Sequence, residues 1–515
     1  MFATEIIVSR QYLNSFVLKK ILLLFGLITI AAKCFSQPGD YRCPCSKIGL
    51  DSLWAKSNKI SCYLIPVLRD VSNKAGGKFF LSVVVAPSLK KAGETPLLYL
   101  HGGPGIATLE NVPRYLTSKT WERVREKRPI IFFDYRGTGF SEPTLCPEIK
   151  DSLAGMANMP DVAKQAYKVG LYKKCRLQLL SGGIDISTFS SFQLAEDAEA
   201  IRKALKIDKW NVYGVSFGTT VALNLLRNHE KQINSVILDS PFPPNAPWLD
   251  FVRPFDTCFK VLEKNISADP VAFSHFPSIK GDFVKAVTRL NKVPAKIKNN
   301  VTHDEYSFNG DDFAWSVWSA MLKPRVIPFV PLAIHEIGNG NDSILSKWVA
   351  AFNDPNSFGT FSELQSKAIL CYEAKPKTPD DTKTSLLSKY PDFSSFNIDF
   401  EGDVCEAWQP KAAGKQAFEP VESDVPVLIF SGEYDPVCPP IFGEITAKTL
   451  THSTFIIVPS ASHAAIHVDE CVRDIATGFL SEPGKRPSLD CVNVRPQINF
   501  VTENLVKELT SLDKN

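Results

Sequence analysis

One serine stands in a spacing that favours nucleophilic chemistry. Ser216 is the centre of the Gly-Val-Ser-Phe-Gly segment 214–218, which follows a strand-like run at 210–213 and precedes a helix-like run at 219–226. A sharp turn from a strand into a helix leaves no room for side chains beside a nucleophile, so small residues are needed two positions to either side of it. The start of a helix also favours negative charge at that point. The pattern predicts a nucleophilic role for Ser216.

A serine attacks at neutral pH only if a base takes its proton, and the base in turn needs an orienting carboxylate. Asp435 directly follows the apolar run 425–432, and His463 follows the apolar run 453–458. We therefore predict Asp435 as the acid and His463 as the base.

His467 is the alternative base. The segment 463–480 reads as a helix, which would place His467 one turn further from the strand edge than His463. The two histidines have a spacing that could hold a metal, but no third ligand is evident in the sequence, so we predict no metal site. A packed or solvated side chain is the ordinary interpretation of His467.

A glycine-rich loop, His-Gly-Gly-Pro-Gly at 101–105, follows the apolar run 96–100. Glycines let backbone N–H groups approach a substrate carbonyl closely, and each such donor is typically worth about 3–4 kcal/mol. We predict that Gly102 and Gly103, together with the N–H of Phe217, form an oxyanion hole. The alternative is a tight turn that serves only backbone geometry.

The elements that must position these residues follow a regular alternation. Short β-branched or aromatic runs occur at 79–85, 96–101, 129–135, 210–216, 235–240, 425–432 and 453–460. Helical candidates lie between them, as at 190–205, and the segment 134–141 reads as a structural turn pinned by an Asp–Arg interaction. Apolar strands separated by helices indicate an α/β fold with a mostly parallel sheet and helices on both faces. Ligands of such sheets bind just beyond the carboxyl ends of the strands.

This alternation stops between Asp239 and Asp424. The segment is rich in Pro, Phe and Trp and reads as helices, which predicts a mainly helical cap insertion over the edge of the sheet. The predicted division of the chain is a signal peptide at 1–36, a first part of the core at 37–240, the cap at 241–424 and a C-terminal part of the core at 425–515.

The start of the chain resembles an export signal. Lys19 and Lys20 precede an uncharged apolar run at 21–32 that is short for a membrane span, and small residues follow it. We expect cleavage after Ser36, a secreted or periplasmic protein and no stable membrane insertion after cleavage. An uncleaved N-terminal anchor is the alternative.

Composition excludes some classes of protein. The 515 residues are 44% apolar and 22% charged, which is typical of a globular chain and not of a disordered one. The net charge is +3, and it falls to 0 without residues 1–36, because that segment carries four basic residues and one acidic residue. A nucleic-acid partner is not expected, since it would call for a basic stripe.

The cysteines indicate disulfides in an exported chain. Local pairing would join Cys146 to Cys175, Cys371 to Cys405 and Cys471 to Cys491, with Cys62 joined to either Cys43 or Cys45.

Five segments together resemble the proline iminopeptidase and tripeptidyl aminopeptidase branch of the α/β-hydrolases. They are HGGPG at 101–105, DYRGTGFS at 134–141, GVSFG at 214–218, GEYDPVCPP at 432–440 and SH at 462–463. The likeness runs from about Cys62 to Cys491, and its last part is similar to the C-terminal segment of tripeptidyl aminopeptidases. The resemblance implies an α/β-hydrolase fold and a secreted serine exopeptidase that needs no cofactor and removes residues from a free peptide N-terminus. It also implies the roles of nucleophile, acid and base for Ser216, Asp435 and His463.

This sequence departs from the related ones at Cys438, and its carboxylate for a substrate ammonium is not identified by the motifs. Cys438 stands where related sequences often carry a hydroxyl residue, so we expect a free thiol near the triad that makes the protein sensitive to alkylation. An aminopeptidase also needs a carboxylate for the substrate ammonium, which the cap should supply. Glu373, Glu406 and Glu336 are the candidates, and a solvated or salt-bridged surface role is the ordinary alternative for each.

Two other functions fit the same residues. A carboxylesterase would use the same triad on esters, and a non-catalytic binding protein would retain only the fold. Neither is favoured over the aminopeptidase interpretation.

Overall fold

The computed structural model describes residues 40–90, 93–154, 161–247, 250–298, 305–352, 360–373, 383–393 and 402–503. The predicted signal peptide, residues 1–36, lies outside the described residues. Within these ranges, no helix is both long enough and apolar enough to cross a membrane.

A single large sheet organises the fold. The strands are β1 Arg42–Cys43, β2 Ser61–Leu68, β3 Lys78–Ala86, β4 Leu97–Leu100, β5 Ile130–Phe133, β6 Trp210–Val215, β7 Ile233–Asp239, β8 Ala295–Lys298, β9 Glu305–Phe308, β10 Val427–Gly432 and β11 Ser453–Val458. Among the described residues, nine of them form one sheet in the order β1-β2-β3-β5-β4-β6-β7-β10-β11, and β8 pairs with β9 separately. The six strands from β5 to β11 in that order run parallel, whereas β1, β2, β3 and β5 pair antiparallel.

The central strands are apolar at nearly every position because both of their faces are covered. Every residue of β4, β5, β6 and β10 is buried, as expected for parallel strands between two layers of helices. The predicted α/β fold and its mostly parallel sheet are therefore confirmed, and all seven predicted strands are present. The sequence did not predict β1 and β2, which form the antiparallel edge.

Helices connect the strands and fill the long interval between β7 and β10. The helices before that interval are α1 Ser52–Ser57, α2 Val112–Thr117, α3 Lys119–Lys127, α4 Pro147–Ala154, α5 Asp161–Ser181, α6 Ser191–Ala204 and α7 Phe217–His229. Those within it are α8 Val252–Ala268, α9 Pro270–His275, α10 Ile279–Lys292, α11 Gly310–Met321, α12 Val330–Gly338, α13 Leu345–Phe352, α14 Glu363–Tyr372, α15 Lys383–Lys389 and α16 Gly402–Trp408. The last four are α17 Pro440–Ala447, α18 Ala465–Val468, α19 Glu470–Ser481 and α20 Asp490–Asn493.

The apolar core is built in layers. One cluster contains Val212 and Ile429 and lies on one face of the sheet, while a second contains their neighbours Tyr213 and Phe430 and lies on the other. This follows from the alternation of side chains along a strand.

The interval between β7 and β10 has a core of its own, formed mainly by α8 and α10 to α13. Its later helices α14 and α16 pack instead into the cluster of the sheet.

In the part of the chain that the structure describes, four disulfides join cysteines that are close in sequence. They are Cys45–Cys62, Cys146–Cys175, Cys371–Cys405 and Cys471–Cys491. The three local pairs predicted from the sequence are confirmed, and Cys62 pairs with Cys45. Among the described cysteines, Cys43, Cys258 and Cys438 are free.

A buried ion pair ties the turn after β5 to α6. The guanidinium of Arg136 binds both carboxylate oxygens of Asp197 at 2.6 and 2.7 Å, and both side chains are almost completely buried. Arg136 also donates to the backbone oxygens of Leu68 and Arg69. The Asp–Arg interaction expected for this turn therefore forms with Asp197 of α6 and not with Asp134 of the same segment.

We expect the substitution Asp197→Asn to lower the free energy of unfolding by about 3–5 kcal/mol, because it leaves a buried guanidinium without its counter-charge. The control is Glu482→Gln, which removes an exposed pair with Lys485 and should cost less than about 1 kcal/mol. Urea unfolding under oxidising conditions measures both. Equal losses in the two variants would contradict a special contribution of the buried pair.

Candidate active site

The predicted nucleophile sits at a strained turn between β6 and α7. Ser216 has φ 55° and ψ −127° and directly precedes the first residue of α7. A Cβ on Gly214 would lie 2.6 Å from the backbone oxygen of Gly218, and one on Gly218 would lie 2.2 Å from that of Leu100. Both contacts are far closer than atoms can approach, which explains why the motif has glycine at these two positions.

The predicted acid and base are hydrogen-bonded to each other. Asp435 is fully buried in the loop after β10, and His463 lies in the loop after β11. The Oδ2 atom of Asp435 is 2.8 Å from Nδ1 of His463, while its Oδ1 atom accepts hydrogen bonds from the backbone N–H groups of Val437 and Cys438 at 2.9 and 2.8 Å. Since an ionised carboxylate only accepts, Nδ1 of His463 carries a proton, and Nε2 is left as the basic atom of the neutral ring.

The surroundings of His463 make it a stronger base than an ordinary histidine. Burial by itself would lower the pKa of His463, but the charge of Asp435, its hydrogen bond and the charge of Asp239 together raise that pKa above 6.5. The imidazolium form of His463, which would result from accepting a proton from Ser216, is thus stabilised.

The strands that lead to these three predicted residues are neighbours in the sheet. Ser216, Asp435 and His463 follow β6, β10 and β11, which adjoin one another and β7 in the sheet and run parallel. Their carboxyl ends consequently lie along one edge. Cys438 lies near two of the three, since its N–H donates to Asp435 and the side chain of Ser216 lowers the pKa of its thiol, against the larger effect of burial.

The glycine-rich loop lies directly against the serine. A Cβ on Gly102 would be 3.0 Å from the Cβ and 3.5 Å from the Oγ of Ser216, and Gly103 has φ 124°, which favours glycine. Phe217 begins α7 and is buried. The backbone at Gly102 therefore approaches the side chain of Ser216 closely, and the oxyanion hole of Gly102, Gly103 and Phe217 stays a prediction.

Buried groups brace this loop from behind. The carboxylate of Asp134 accepts hydrogen bonds from the N–H groups of Thr108 and Leu109 at 2.7 and 2.9 Å. His101 is 2.8 Å from the hydroxyl of Tyr115 through Nε2, and burial lowers its pKa to about 4. His101 is thus neutral at physiological pH and supports the loop.

The interval between β7 and β10 contributes contacts that the sequence did not predict. Trp318 of α11 donates from Nε1 to the backbone oxygen of Pro436 at 3.3 Å, and Ser462 donates to the backbone oxygen of Met321 at the end of α11. This helix therefore contacts the loop after β10, which carries the predicted acid Asp435 and is the acid loop below, and the loop after β11, which carries the predicted base His463. Phe251 and Trp315 pack edge-to-face with Trp318 and with each other.

A second contact joins that interval to the glycine-rich loop. The N–H of Ser362 donates to the backbone oxygen of Gly105 at 2.8 Å, and Ile106 forms a β-bridge with Phe361. The ring of Phe361 is half exposed over Gly105. No spacing in the sequence indicates which segment of the insertion would meet this loop.

Three carboxylates were predicted as ligands of a substrate ammonium. Glu373 accepts a hydrogen bond from the N–H of Ser191 at the start of α6, and burial raises its pKa to about 7. Glu336 accepts a hydrogen bond from Asn341 at 2.7 Å, and Glu406 is exposed on α16. Their role toward a substrate stays a prediction.

The alternative base is enclosed in an aromatic cluster. His467 packs against Tyr115, Trp121 and Tyr213, with Nε2 3.4 Å from the Tyr213 hydroxyl. Burial lowers its pKa to about 3, so it stays neutral. Across the described ranges, no three or more His, Cys, Asp and Glu side chains are grouped to hold a metal ion.

Comparison with known proteins agrees with this architecture. A family model described as the alpha/beta hydrolase fold matches residues 95–324, and one described as TAP-like protein matches residues 391–492. This chain is an α/β-hydrolase-fold protein. The family matches carry the fold assignment, and the strand order of the sheet agrees with it.

Several relatives of this α/β-hydrolase have names that refer to peptide hydrolysis. It is 21% identical to the serine protease Hip1 of Mycobacterium tuberculosis over 74% of this chain and 77% of that protein. It is 22% identical to a probable proline iminopeptidase of Leptolyngbya boryana over 72% and 81% of the two chains. It is also 25% identical to a tripeptidyl aminopeptidase of Streptomyces coelicolor over 37% of each. The α/β-hydrolase is therefore similar to serine proteases and peptidases, as the motifs predicted.

We expect Asp435→Asn to shift the acid limb of the pH profile of this α/β-hydrolase to lower pH. Without the carboxylate, burial dominates and the pKa of His463 falls, so the base stays neutral at lower pH. The maximal rate should fall by about 10⁴-fold, because the imidazole loses the partner that fixes its tautomer. The measurement is kcat/KM for an activated ester as a function of pH. The control is Asp424→Asn, at an exposed residue before β10, which should change neither the acid limb nor the maximal rate. An unshifted acid limb in Asp435→Asn would contradict the predicted effect of Asp435 on the pKa of His463.

We expect Cys438 to react slowly with iodoacetamide in the folded protein and to inactivate it once alkylated. Burial and then the charge of Asp435 raise the pKa of its thiol well above the usual range, and a protonated buried thiol is a poor nucleophile. Mass spectrometry of the modified peptide, followed against residual activity in a Cys43→Ser background, tests both statements. A Cys438→Ser variant should be active and resistant, whereas full activity after complete alkylation of Cys438 would contradict the contact with Ser216.

Proposed function

We propose that this protein is an exported serine aminopeptidase that hydrolyses peptide bonds near a free N-terminus. The observation that carries the proposal is the hydrogen bond between buried Asp435 and His463 at the sheet edge where Ser216 is presented. A histidine held by a buried carboxylate, at the sheet edge that carries a half-buried turn serine, has the parts that activate a serine hydroxyl.

The reaction would proceed in two halves. Ser216 Oγ attacks the scissile carbonyl while Nε2 of His463 accepts the hydroxyl proton, and the N–H groups of Gly102, Gly103 and Phe217 stabilise the oxyanion. His463 then gives that proton to the leaving amine as the C–N bond breaks, which leaves an acyl-enzyme. Water, deprotonated by the same nitrogen, attacks the ester carbonyl and releases the new carboxyl group and the serine hydroxyl. Asp435 keeps the imidazole oriented throughout.

The relatives and the insertion support an exopeptidase rather than a protease with an open cleft. Two of the named relatives are a proline iminopeptidase and a tripeptidyl aminopeptidase. The insertion contacts the acid loop through Trp318 and the glycine-rich loop through Ser362. Contacts on both sides of the serine are consistent with a cap that limits how far a peptide can extend. A carboxylate of this cap, with Glu373, Glu406 and Glu336 as candidates, would bind the substrate ammonium.

The disulfides support export. Four of them are formed, and disulfides persist mainly in oxidising compartments. We accordingly propose a secreted or periplasmic protein that acts on peptides.

We expect aminoacyl and short peptidyl arylamides with a free α-amine to be hydrolysed about 30-fold or more faster, in kcat/KM, than their N-acetylated counterparts, because acetylation removes the charge that a buried carboxylate would bind. Purified protein without residues 1–36, with Ser216→Ala as the control, is assayed on matched pairs, and mass spectrometry of products from defined peptides gives the length released.

Other outcomes would replace the proposal. Equal hydrolysis of the acetylated substrates would contradict an aminopeptidase. Turnover of p-nitrophenyl esters alone would favour a carboxylesterase. The absence of both turnover and organophosphonate labelling at Ser216 would favour a binding protein.

A further inference from the structure

A third acidic residue lies at the same sheet edge, and the proposed mechanism does not use it. Asp239 ends β7, between the strand that leads to Ser216 and the strand that leads to Asp435. Its side chain is completely buried. A buried carboxylate is costly unless it is well hydrogen-bonded, so its contacts should explain why it is there.

Those contacts converge on the segment after the base. The Oδ1 atom of Asp239 accepts a hydrogen bond from the N–H of Ala465 at 3.0 Å, and Oδ2 accepts from the N–H of Ile466 at 3.1 Å and from the hydroxyl of Tyr213 at 3.0 Å. The hydroxyl of the next residue, Ser240, accepts from the N–H of Ala464 at 2.9 Å. The three residues that follow His463 are thus all held by the end of β7.

The same residue also holds the nucleophile. The backbone oxygen of Asp239 accepts a hydrogen bond from the N–H of Ser216 at 3.0 Å. Ser216, Ser240 and Ala464 all have φ between 55° and 61°, a conformation that non-glycine residues adopt only when their surroundings enforce it. The end of β7 therefore fixes the backbone at Ser216 and the backbone of the three residues after His463.

We propose that Asp239 is a positioning residue that holds the His463 loop in register with Ser216 and stabilises the imidazolium form of His463 by its charge. This inference rests on the proposed function. It differs from the role of Asp435, which contacts the imidazole itself, because Asp239 acts through the backbone and through space.

The charges around Asp239 are consistent with this role. Burial raises its pKa to about 6, against the hydrogen bonds from Ile466, Tyr213 and Ala465 and the charge of a protonated His463. The other titratable groups that face it are Tyr99 of β4, Cys438 of the acid loop, and His467, which contacts Tyr213. Burial raises the pKa of both Tyr99 and Cys438 and lowers that of His467. All three are consequently neutral at physiological pH. The charge of Asp239 therefore acts on the imidazole of His463, in addition to the larger effect of Asp435 on the same ring.

The test compares three variants by kcat, KM and the pH dependence of kcat/KM, using a p-nitrophenyl ester. Asp239→Asn should lower kcat about 100-fold with little change in KM, since a displaced base is severely impaired, and it should move the acid limb to lower pH. Ser240→Ala removes only an uncharged contact, so it should lower kcat about fivefold without moving the acid limb. Ser235→Ala is the control and breaks a buried hydrogen bond to Asn211 at the other end of β7. It should change neither kcat nor the position of the acid limb.

Failure of this inference can be told apart from failure of the proposed function. If the wild-type protein is neither active nor labelled at Ser216 by an organophosphonate, the proposed function fails and this inference fails with it. If the wild type is active and Asp239→Asn keeps kcat within twofold and the same acid limb, the inference alone is overturned. Active-site titration with the organophosphonate corrects each rate for unfolded protein. Should Asp239→Asn not fold, Ser240→Ala decides, and an unchanged kcat in that variant overturns the inference.

Discussion

The hydrogen bond between the carboxylate of Asp435 and the imidazole of His463 forms only if the two loops are positioned to within a fraction of an ångström. The parallel sheet provides that positional precision. Their strands β10 and β11 are hydrogen-bonded along their whole length, so the two loops start from neighbouring points. The first turn of the acid loop adds two backbone N–H groups to the other carboxylate oxygen. The orientation of the His463 ring is thus a consequence of strand pairing.

The layers of the fold keep this edge rigid. Apolar clusters cover both faces of the sheet, and interiors packed in this way resist deformation. The insertion between β7 and β10 has a cluster of its own, which allows it to hold α11 in place while that helix contacts the loops after β10 and β11. The candidate site therefore lies between the apolar clusters of the sheet and the separate apolar cluster of the insertion.

Polar groups that the fold buries at this edge are paired chiefly with backbone N–H groups. Asp134, Asp239 and Asp435 each accept two or more such bonds. Backbone donors are fixed by the fold and carry no side-chain entropy, so a carboxylate they hold also holds the loop that supplies them. The strained conformations of Ser216, Ser240 and Ala464 persist in the same place because these bonds enforce them.

The sequence alone determined the features that depend on local pattern. Apolar runs predicted the parallel strands, the glycine spacing predicted the turn at Ser216, and short separations predicted three disulfides. Each of these rests on residues close together in the chain, where sterics and periodicity act directly. Strand β2 escaped prediction because only three of its eight residues are buried, so its apolar pattern is weaker.

Only the tertiary structure decided which distant groups meet. The end of β7 reaches the residues after His463, Trp318 reaches the acid loop, and Arg136 pairs with Asp197 instead of its neighbour in the motif. Contacts of this kind depend on strand order and on helix packing across more than fifty residues of chain. The sequence pattern does not contain that information, because the same residue types could equally lie on the surface of a fold with a different strand order or helix packing.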